Sequence, residues 1–286
     1  MINNKFNAEL ALLFRPFFLH SIIKGEHSKC LLPILNKSGY HCSKKNTLAK
    51  MFDDVYHHLT KRYRCEYVYK NTIIKNILLG RHSLNSSVAL SELRANKSKS
   101  DLVIVNGTST VYEIKSELDC LDRLPYQVAD YLKLFDIVNV VTYAQNVKKI
   151  IDIVPPRVGI LCLTNKNSIS VYRTALSNKC NVEPDAIFSS LTKKEYLNIV
   201  KDKFEYIPNV PNTKIYKECK SLFCSLSPDE AHAYLIDALK SRKIKSYKKD
   251  IVRRAPYSLK SLCLFSHFTQ IEADIFIDNL FSYNIF

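Results

Sequence analysis

Residues 101–115 read DLVIVNGTSTVYEIK, two β-branched, apolar runs on either side of Asn106-Gly107. An Asn-Gly pair between two such runs is a strong signal for a β-hairpin. The upstream run VALSEL, residues 88–93, has the composition of a further short strand. This stretch therefore predicts three strands, the last two of which are joined by a tight turn.

The length of that turn decides which side chains share a face of the hairpin. A strict two-residue turn would pair Asp101 with Tyr112 and would place Asp101 and Glu113 on opposite faces. A three-residue loop over residues 106–108 would instead pair Asp101 with Glu113. If the two carboxylates converge, we therefore expect an odd-length loop or a bulge.

Asp101, Glu113 and Lys115 have the residue types and spacing that phosphodiester hydrolysis needs. Two converging carboxylates form a hard oxygen site for Mg²⁺, or for Mn²⁺ in its place, which shares its coordination with waters and substrate phosphate. Because Glu113 and Lys115 are two apart on a strand, they project to the same face, where the ammonium can orient or help deprotonate the attacking water. The alternative is an ordinary ion pair on a surface hairpin.

The flanking patterns indicate helical regions around this core. Apolar spacing predicts helices over 8–23, 48–62, 72–79 and 124–135, and strands over 137–143, 157–164 and 169–174. Capping boxes mark two helix starts in the last third of the chain, Thr192 with Glu195 and Ser227 with Glu230. We divide the chain into a helical region (1–70), a core (71–175) and a second helical region (176–286).

These elements resemble the PD-(D/E)XK nuclease superfamily, whose restriction-endonuclease-like core runs helix, three strands, helix, strand (αβββαβ) around a mixed sheet. Gln127 and Tyr131, four residues apart on the helix after the hairpin, look like the QxxxY motif of the RecB-like branch. Residues 66–84 and 91–131 are also similar to an uncharacterised bacterial family of about this length within the superfamily. The expected fold class is therefore α+β, with a mixed central sheet between helical flanks.

The resemblance implies roles for individual residues. Asp101 and Glu113 would bind metal, the Ile114 carbonyl would complete the coordination, and Lys115 would serve the water. Glu92, nine residues before Asp101, matches the superfamily's upstream acid, although a charge at the end of a strand or helix is the alternative.

Two further features qualify the resemblance. Gln127 and Tyr131 would join the catalytic site, or would cap the helix and pack it against the sheet. The segment before Asp101 reads Ser98-Lys99-Ser100, where the family often has a small residue and Arg, and the proline of the superfamily's name is absent.

The charge of the chain favours a polyanionic partner. Lys and Arg outnumber Asp and Glu by 42 to 27, which gives a net charge of +15 and a pI near 9.3. Nucleic acid is the leading candidate, with DNA favoured over RNA. We expect phosphate contacts from five lysines, although a solvated helix face is the alternative for the last three: Lys97, Lys99, Lys245, Lys248 and Lys249.

Composition also sets the expected compartment. No apolar run reaches the 18 to 20 or so residues of a membrane span, and the start lacks the pattern of a secretory leader. The nine cysteines contain no CxxC pair, so we expect free, buried thiols. The sequence thus predicts a cytoplasmic, bacterial nuclease with no membrane partner, in a defence or mobile-element setting. The alternatives are an RNase or toxin effector and an inactive nucleic-acid-binding module, and a protein partner and the oligomeric state stay open.

Overall fold

A six-stranded mixed sheet lies at the centre of the computed structural model, which describes residues 2–41 and 46–282. The strand order is β1-β4-β5-β6-β7-β8, and a separate two-stranded hairpin, β2-β3, lies between β1 and β4 in the chain. The pairs β5-β6 and β6-β7 are parallel, and the other pairs are antiparallel. The strands are β1 (Val88–Leu90), β2 (Arg94–Ala95), β3 (Ser98–Lys99), β4 (Leu102–Asn106), β5 (Thr108–Ile114), β6 (Ile137–Thr142), β7 (Gly159–Leu163) and β8 (Ile169–Arg173).

The β4-β5 hairpin has the register that convergent carboxylates require. Val105 pairs with Ser109 and Asn106 with Thr108, which leaves Gly107 alone at the tip. Gly107 has a φ of 75°, a conformation that glycine adopts without steric cost. The predicted odd-length loop is confirmed.

Helices cover both faces of the sheet, so β4 is buried on both sides. Its residues alternate between two separate apolar cores, as expected of the continuous apolar run LVIV. The helices are α1 (Asn7–Leu12), α2 (Pro16–Ile23), α3 (His27–Lys37), α4 (Leu48–Arg62), α5 (Glu66–Ile73), α6 (Leu124–Leu132), α7 (Val147–Ile153), α8 (Pro184–Ser190), α9 (Lys193–Phe204), α10 (Asn212–Phe223), α11 (Pro228–Ser241), α12 (Ser246–Arg254), α13 (Lys260–Phe265) and α14 (Gln270–Phe281). The predicted α+β class, with a mixed sheet between helical regions, is confirmed.

The C-terminal helices divide between the two faces. Helices α6 to α11 pack on one face of the sheet. Helices α12 to α14 pack on the other face, in one apolar core with α1 to α5. The chain therefore passes from one face to the other between α11 and α12. Both predicted capping boxes are present, and Thr269 with Glu272 forms a third that the sequence analysis did not single out.

Several helix bounds differ from the predicted ones. The helix predicted over 8–23 is two helices, because Pro16 begins the second and Arg15 before it is extended. The helix predicted from residue 72 begins at Glu66, so the proposed boundary between residues 70 and 71 falls inside α5. A π-helical turn, Ile74–Leu79, continues it. The elements α3, α7, β2 and β3 were not predicted, and the strand predicted over 88–93 ends at Leu90.

The described residues contain no single helix long and apolar enough to cross a membrane, although the bent pair Asn4–Leu12 and Pro16–Ile23 together would pass on length and composition. All eight described cysteines are free thiols, and Cys42 lies outside the described residues. Two are buried, but three are exposed: Cys120, Cys180 and Cys224. The expectation of buried thiols is wrong for these three.

A buried histidine joins α11 to the start of β5. The His232 ring Nε2 lies 2.8 Å from the Ser109 hydroxyl, which accepts a hydrogen bond of 3.0 Å from the Asp136 backbone N–H. Burial lowers the pKa of His232, against the opposing charge of Asp136. The folded protein therefore favours the neutral ring.

We predict that this histidine makes folding sensitive to mild acid. As pH falls through 6.5 or so, the unfolded chain binds the proton first, so stability that is present at higher pH is lost. In urea unfolding at pH 7.5 and 5.5, His232→Gln should lose less free energy of unfolding than the wild type. The exposed His57→Gln is the control and should keep the wild-type difference. Equal pH dependence in wild type and His232→Gln would contradict the assignment.

Candidate active site

Glu113, near the end of β5, is a carboxylate with almost no access to water, since only 1% of the residue is exposed. Its Oε2 lies 2.6 Å from the Tyr131 hydroxyl, and its Oε1 lies 3.0 Å from the Lys115 ammonium. Burial raises the pKa of Glu113, although Lys115 and Tyr131 both oppose that shift. Glu113 is therefore a buried acid held by specific polar partners.

Asp101 lies beside Glu113, immediately before β4. Its Oδ2 accepts a 2.6 Å hydrogen bond from the Ile114 backbone N–H. Burial, and then the charge of Glu113, raise the pKa of Asp101 to about 7. The structure therefore brings the two predicted carboxylates together, close enough for the charge of Glu113 to act on Asp101.

Lys115 is fixed through both its side chain and its backbone. The ammonium donates to Gln127 Oε1 at 2.8 Å and contacts Glu113. Its backbone N–H donates to the Val141 carbonyl, and its own carbonyl accepts from the Thr142 hydroxyl, so β6 holds the residue just past the end of β5. Only 5% of Lys115 is exposed.

Gln127 and Tyr131 reach the site because they are four residues apart on α6, and therefore lie on one face of the helix. Tyr131 also packs in the apolar core, as the packing role predicts. Its hydroxyl lies 2.6 Å from Glu113 Oε2 and 3.0 Å from the Lys99 carbonyl. A phenol has one proton and the carbonyl can only accept. When the phenol donates to Lys99, the bond to Glu113 is therefore complete only if Glu113 carries a proton.

The donor set fits a Mg²⁺ ion. Within one strand a residue's N–H and C=O point to the same side, so the Ile114 carbonyl faces the side on which its N–H meets Asp101. Asp101, Glu113 and that carbonyl supply hard oxygen ligands, and Mg²⁺ commonly takes one or two carboxylates with waters and phosphate. Over residues 2–41 and 46–282, no three His, Cys, Asp or Glu side chains come together as a closed site would require.

The side chains of Glu92 and of Lys97 and Lys99, the two lysines of the β2-β3 hairpin, lie outside this cluster. Glu92 follows β1 with a φ of 60°, and its Oε2 pairs with Lys99 at 2.6 Å. Both side chains are about three-fifths exposed, and the pKa of Glu92 is lowered by its hydrogen bond to Lys99. Lys97 is exposed at the β2-β3 turn. The structure therefore gives Glu92 a lysine partner and does not bring it to the carboxylate pair.

Sequence reasoning missed the contribution of α5. Glu66 and Lys70 form a 2.9 Å ion pair on its first turns. Their charges act on Asp101, whose pKa is raised by Glu66 and lowered by Lys70. Between these two residues on the helix, the Tyr69 hydroxyl donates to Glu117, which lies just beyond the end of β5. A glutamate four residues before a lysine was a helical signal that could have placed this helix earlier.

The family model described as bacteriophage P4 protein cII matches residues 60–266, which include every predicted site residue. The chain belongs to this family. Protein cII of Enterobacteria phage P4 is 23% identical over 183 residues, a match that spans 62% of this chain and 64% of the phage protein. A solved protein of unknown function from Silicibacter pomeroyi is 20% identical and covers 33% of this chain and 64% of its own, with a TM-score of 0.27.

The raised pKa of Asp101 leads to a stability prediction. Its folded pKa lies above its unfolded value, so stability that is present in acid is lost as pH rises toward about 7. Asp101→Asn keeps an oxygen acceptor for the Ile114 N–H but cannot ionise. In EDTA, its melting temperature should exceed that of the wild type at pH 8, and the difference should shrink toward pH 4. Exposed Asp122→Asn should show no such trend, and a lower melting temperature for Asp101→Asn at pH 8 would refute the explanation.

Proposed function

We propose that this chain is a metal-dependent nuclease of the PD-(D/E)XK type that hydrolyses phosphodiester bonds, with DNA favoured over RNA. The observation that carries the proposal is the convergence of Asp101 and Glu113 beside an ammonium that contacts Glu113 directly. Placing three ionisable groups this close to a core is costly for stability, which is why such clusters are commonly functional.

The carboxylates of Asp101 and Glu113, with the Ile114 carbonyl, would hold Mg²⁺, for which Mn²⁺ could substitute. When bound, the metal would lower the pKa of a coordinated water and offset charge on the phosphate. The Ile114 N–H fixes Asp101 at Oδ2, and Tyr131 fixes Glu113 at Oε2. Such outer partners orient the ligands, so Tyr131 acts as a positioning residue.

Lys115 is placed to act on the nucleophile. An ammonium has three donors, and two are directed at Glu113 Oε1 and Gln127 Oε1. The third is free to hold a water or a phosphate oxygen in the site. Gln127 keeps the ammonium in place without adding a second negative charge, and so it also acts by positioning.

The family to which the chain belongs supports a setting for the proposed activity. Its name comes from a phage protein, which supports a mobile-element context over the wider defence role. We place the reaction in the cytoplasm, where phage and host nucleic acids meet. A nucleic-acid-binding module that lacks catalysis is the second candidate, and the net charge of +15 supports it as well as the nuclease.

Digestion of four substrates side by side tests the nuclease directly. Supercoiled DNA, linear duplex, single-stranded DNA and RNA should be incubated with Mg²⁺ or with EDTA. We expect Mg²⁺-dependent cleavage that Asp101→Asn and Glu113→Gln each abolish, because each removes a metal ligand while preserving side-chain shape. The matched control, Asp122→Asn, should cleave normally. Full activity in either site variant, or cleavage in EDTA, would exclude this site.

Lys115 provides a separate test, of mechanism. Lys115→Ala should slow turnover by about 10²- to 10⁴-fold, the usual range for acid-base assistance, with little change in nucleic-acid affinity. Single-turnover rates and anisotropy titrations would measure the two effects. The control is exposed Lys149→Ala, which should change neither. If Lys115→Ala weakens binding but leaves turnover intact, the ammonium contacts substrate phosphate and does not serve the water.

A further inference from the structure

Between α11 and α12 the chain crosses from one face of the sheet to the other, around the free edge of β1. Helix α11 ends at Ser241 and α12 begins at Ser246, so the linker between them crosses this edge. A groove with a volume of about 670 Å³ lies there. It is lined by residues 89–91, the linker, α12, the end of α13 and the start of α14 with the segment before it.

The groove is lined by cations that have no acidic partner. Lys243, Lys245 and Lys248 line it, and in the part of the chain that the structure describes none of them lies within 4 Å of a carboxylate. Arg242 differs, because it binds Glu195 through two hydrogen bonds of 2.7 Å. Glu272 is the one acid in the lining, and it caps α14 through Thr269.

Lys248 is crowded by Lys245, and its ammonium donates a hydrogen bond of 3.4 Å to the Leu264 carbonyl. Lys248 is half-buried, with its ammonium 5.7 Å from the centre of the Phe268 ring. Burial, and then the charge of Lys245, lower the pKa of Lys248. An anion in the groove would oppose both effects by stabilising the charged ammonium, so the groove is complementary to negative charge.

The position of the groove links it to the candidate active site. Leu90 of β1 pairs with Val103 of β4, so continuing the register places Ser91 beside Leu102. Ser91 lines the groove, and Leu102 follows Asp101 directly. The groove therefore lies at the same end of the sheet as the carboxylates, at the edge strand β1 next to β4, and its helical lining belongs to the face opposite α6.

We propose that this groove binds a single-stranded segment of nucleic acid and guides it to Asp101 and Glu113. The proposal rests on the proposed function. The volume of the groove falls in the range typical of a site for one compact ligand, about 300 to 1,000 Å³. This volume suits one or two nucleotides of a single strand and does not suit the two backbones of a duplex. Aromatic side chains lie among the cations, a combination that proteins use to stack the bases and hold the phosphates of single strands: the partly buried Tyr247 and Phe265 and the exposed His267.

Of the three lysines predicted to contact phosphate in this region, the structure brings two to the groove and not the third. Lys245 and Lys248 line the groove, whereas the Lys249 ammonium donates to the Asn85 side chain at 3.0 Å and lies outside the lining. Lys243, which the sequence analysis did not single out, takes its place. Lys243 and Lys245 are exposed, so replacing them should not disturb folding.

The test is binding of labelled oligonucleotides in EDTA, which separates capture from cleavage. The double variant Lys243→Gln/Lys245→Gln is compared with Lys148→Gln/Lys149→Gln, which removes two exposed charges from α7. The probes are a 20-nucleotide single strand, as DNA and as RNA, and a blunt 20-base-pair duplex. Loss of two phosphate contacts should raise the Kd for the single strand about 25-fold at 0.1 M salt and reduce the log-log salt slope by about 1.4.

The expected result is a large loss for the single strand, a smaller loss for the duplex and no change in the α7 control. An unchanged Kd and slope would overturn the proposal, as would an equal loss on the duplex or a wild type that binds no single strand. An unchanged Kd and slope would point to a protein partner for this surface instead. If the binding shift is found but Mg²⁺ yields no cleavage, the groove stands and the nuclease fails. If Mg²⁺ yields cleavage but the double variant shows no shift in binding, the nuclease stands and the groove proposal fails.

Discussion

The pairing of β4 with β5 is the constraint on which the rest of the site depends. The turn over residues 106–108 sets a register that directs Asp101, Glu113 and Lys115 to the face covered by α6. A shift of one residue would direct the charged side chains into the apolar core on the other face. That alternative would bury Glu113 and Lys115 away from Tyr131 and Gln127, so apolar burial and the polar network select the same register.

Within that register, the polar network makes a buried acid tolerable. Glu113 has two polar partners from different elements, Tyr131 of α6 and Lys115 beyond β5. An apolar cluster of the same volume would commonly stabilise a fold as well or better. The arrangement therefore costs stability at this end of the sheet, while the middle of the same strands lies between two apolar cores. The cost is confined to one small region, and the two apolar layers offset it.

The parts of this fold that the sequence predicted depend on local patterns in the chain. The hairpin, its odd-length turn and the spacing of Gln127 and Tyr131 each depend on residues a few positions apart. Other features depend on contacts that are distant in the chain. The strands β2 and β3 are two residues each, too short for a periodic pattern. The change of face between α11 and α12 cannot be predicted from the amphipathic pattern of the helices. That pattern shows which side of a helix is buried, but not which face of the sheet it packs against. Glu92 has the right spacing for a ligand, but its backbone conformation and Lys99 direct it elsewhere.

The shared layer of N-terminal and C-terminal helices also governs the order in which the molecule can be completed during translation. The side chain of Asn279 on α14 donates to the Ile22 carbonyl on α2, so the two ends of the described chain meet. Residues 101–131 leave the ribosome long before α14 does, and chains fold from the N-terminus as they emerge. The layer behind the sheet thus stays open until α12 to α14 have been synthesised. Until then the sheet that carries the carboxylates is only half covered, and the basic linker can reach the edge of β1 only after α11 has formed.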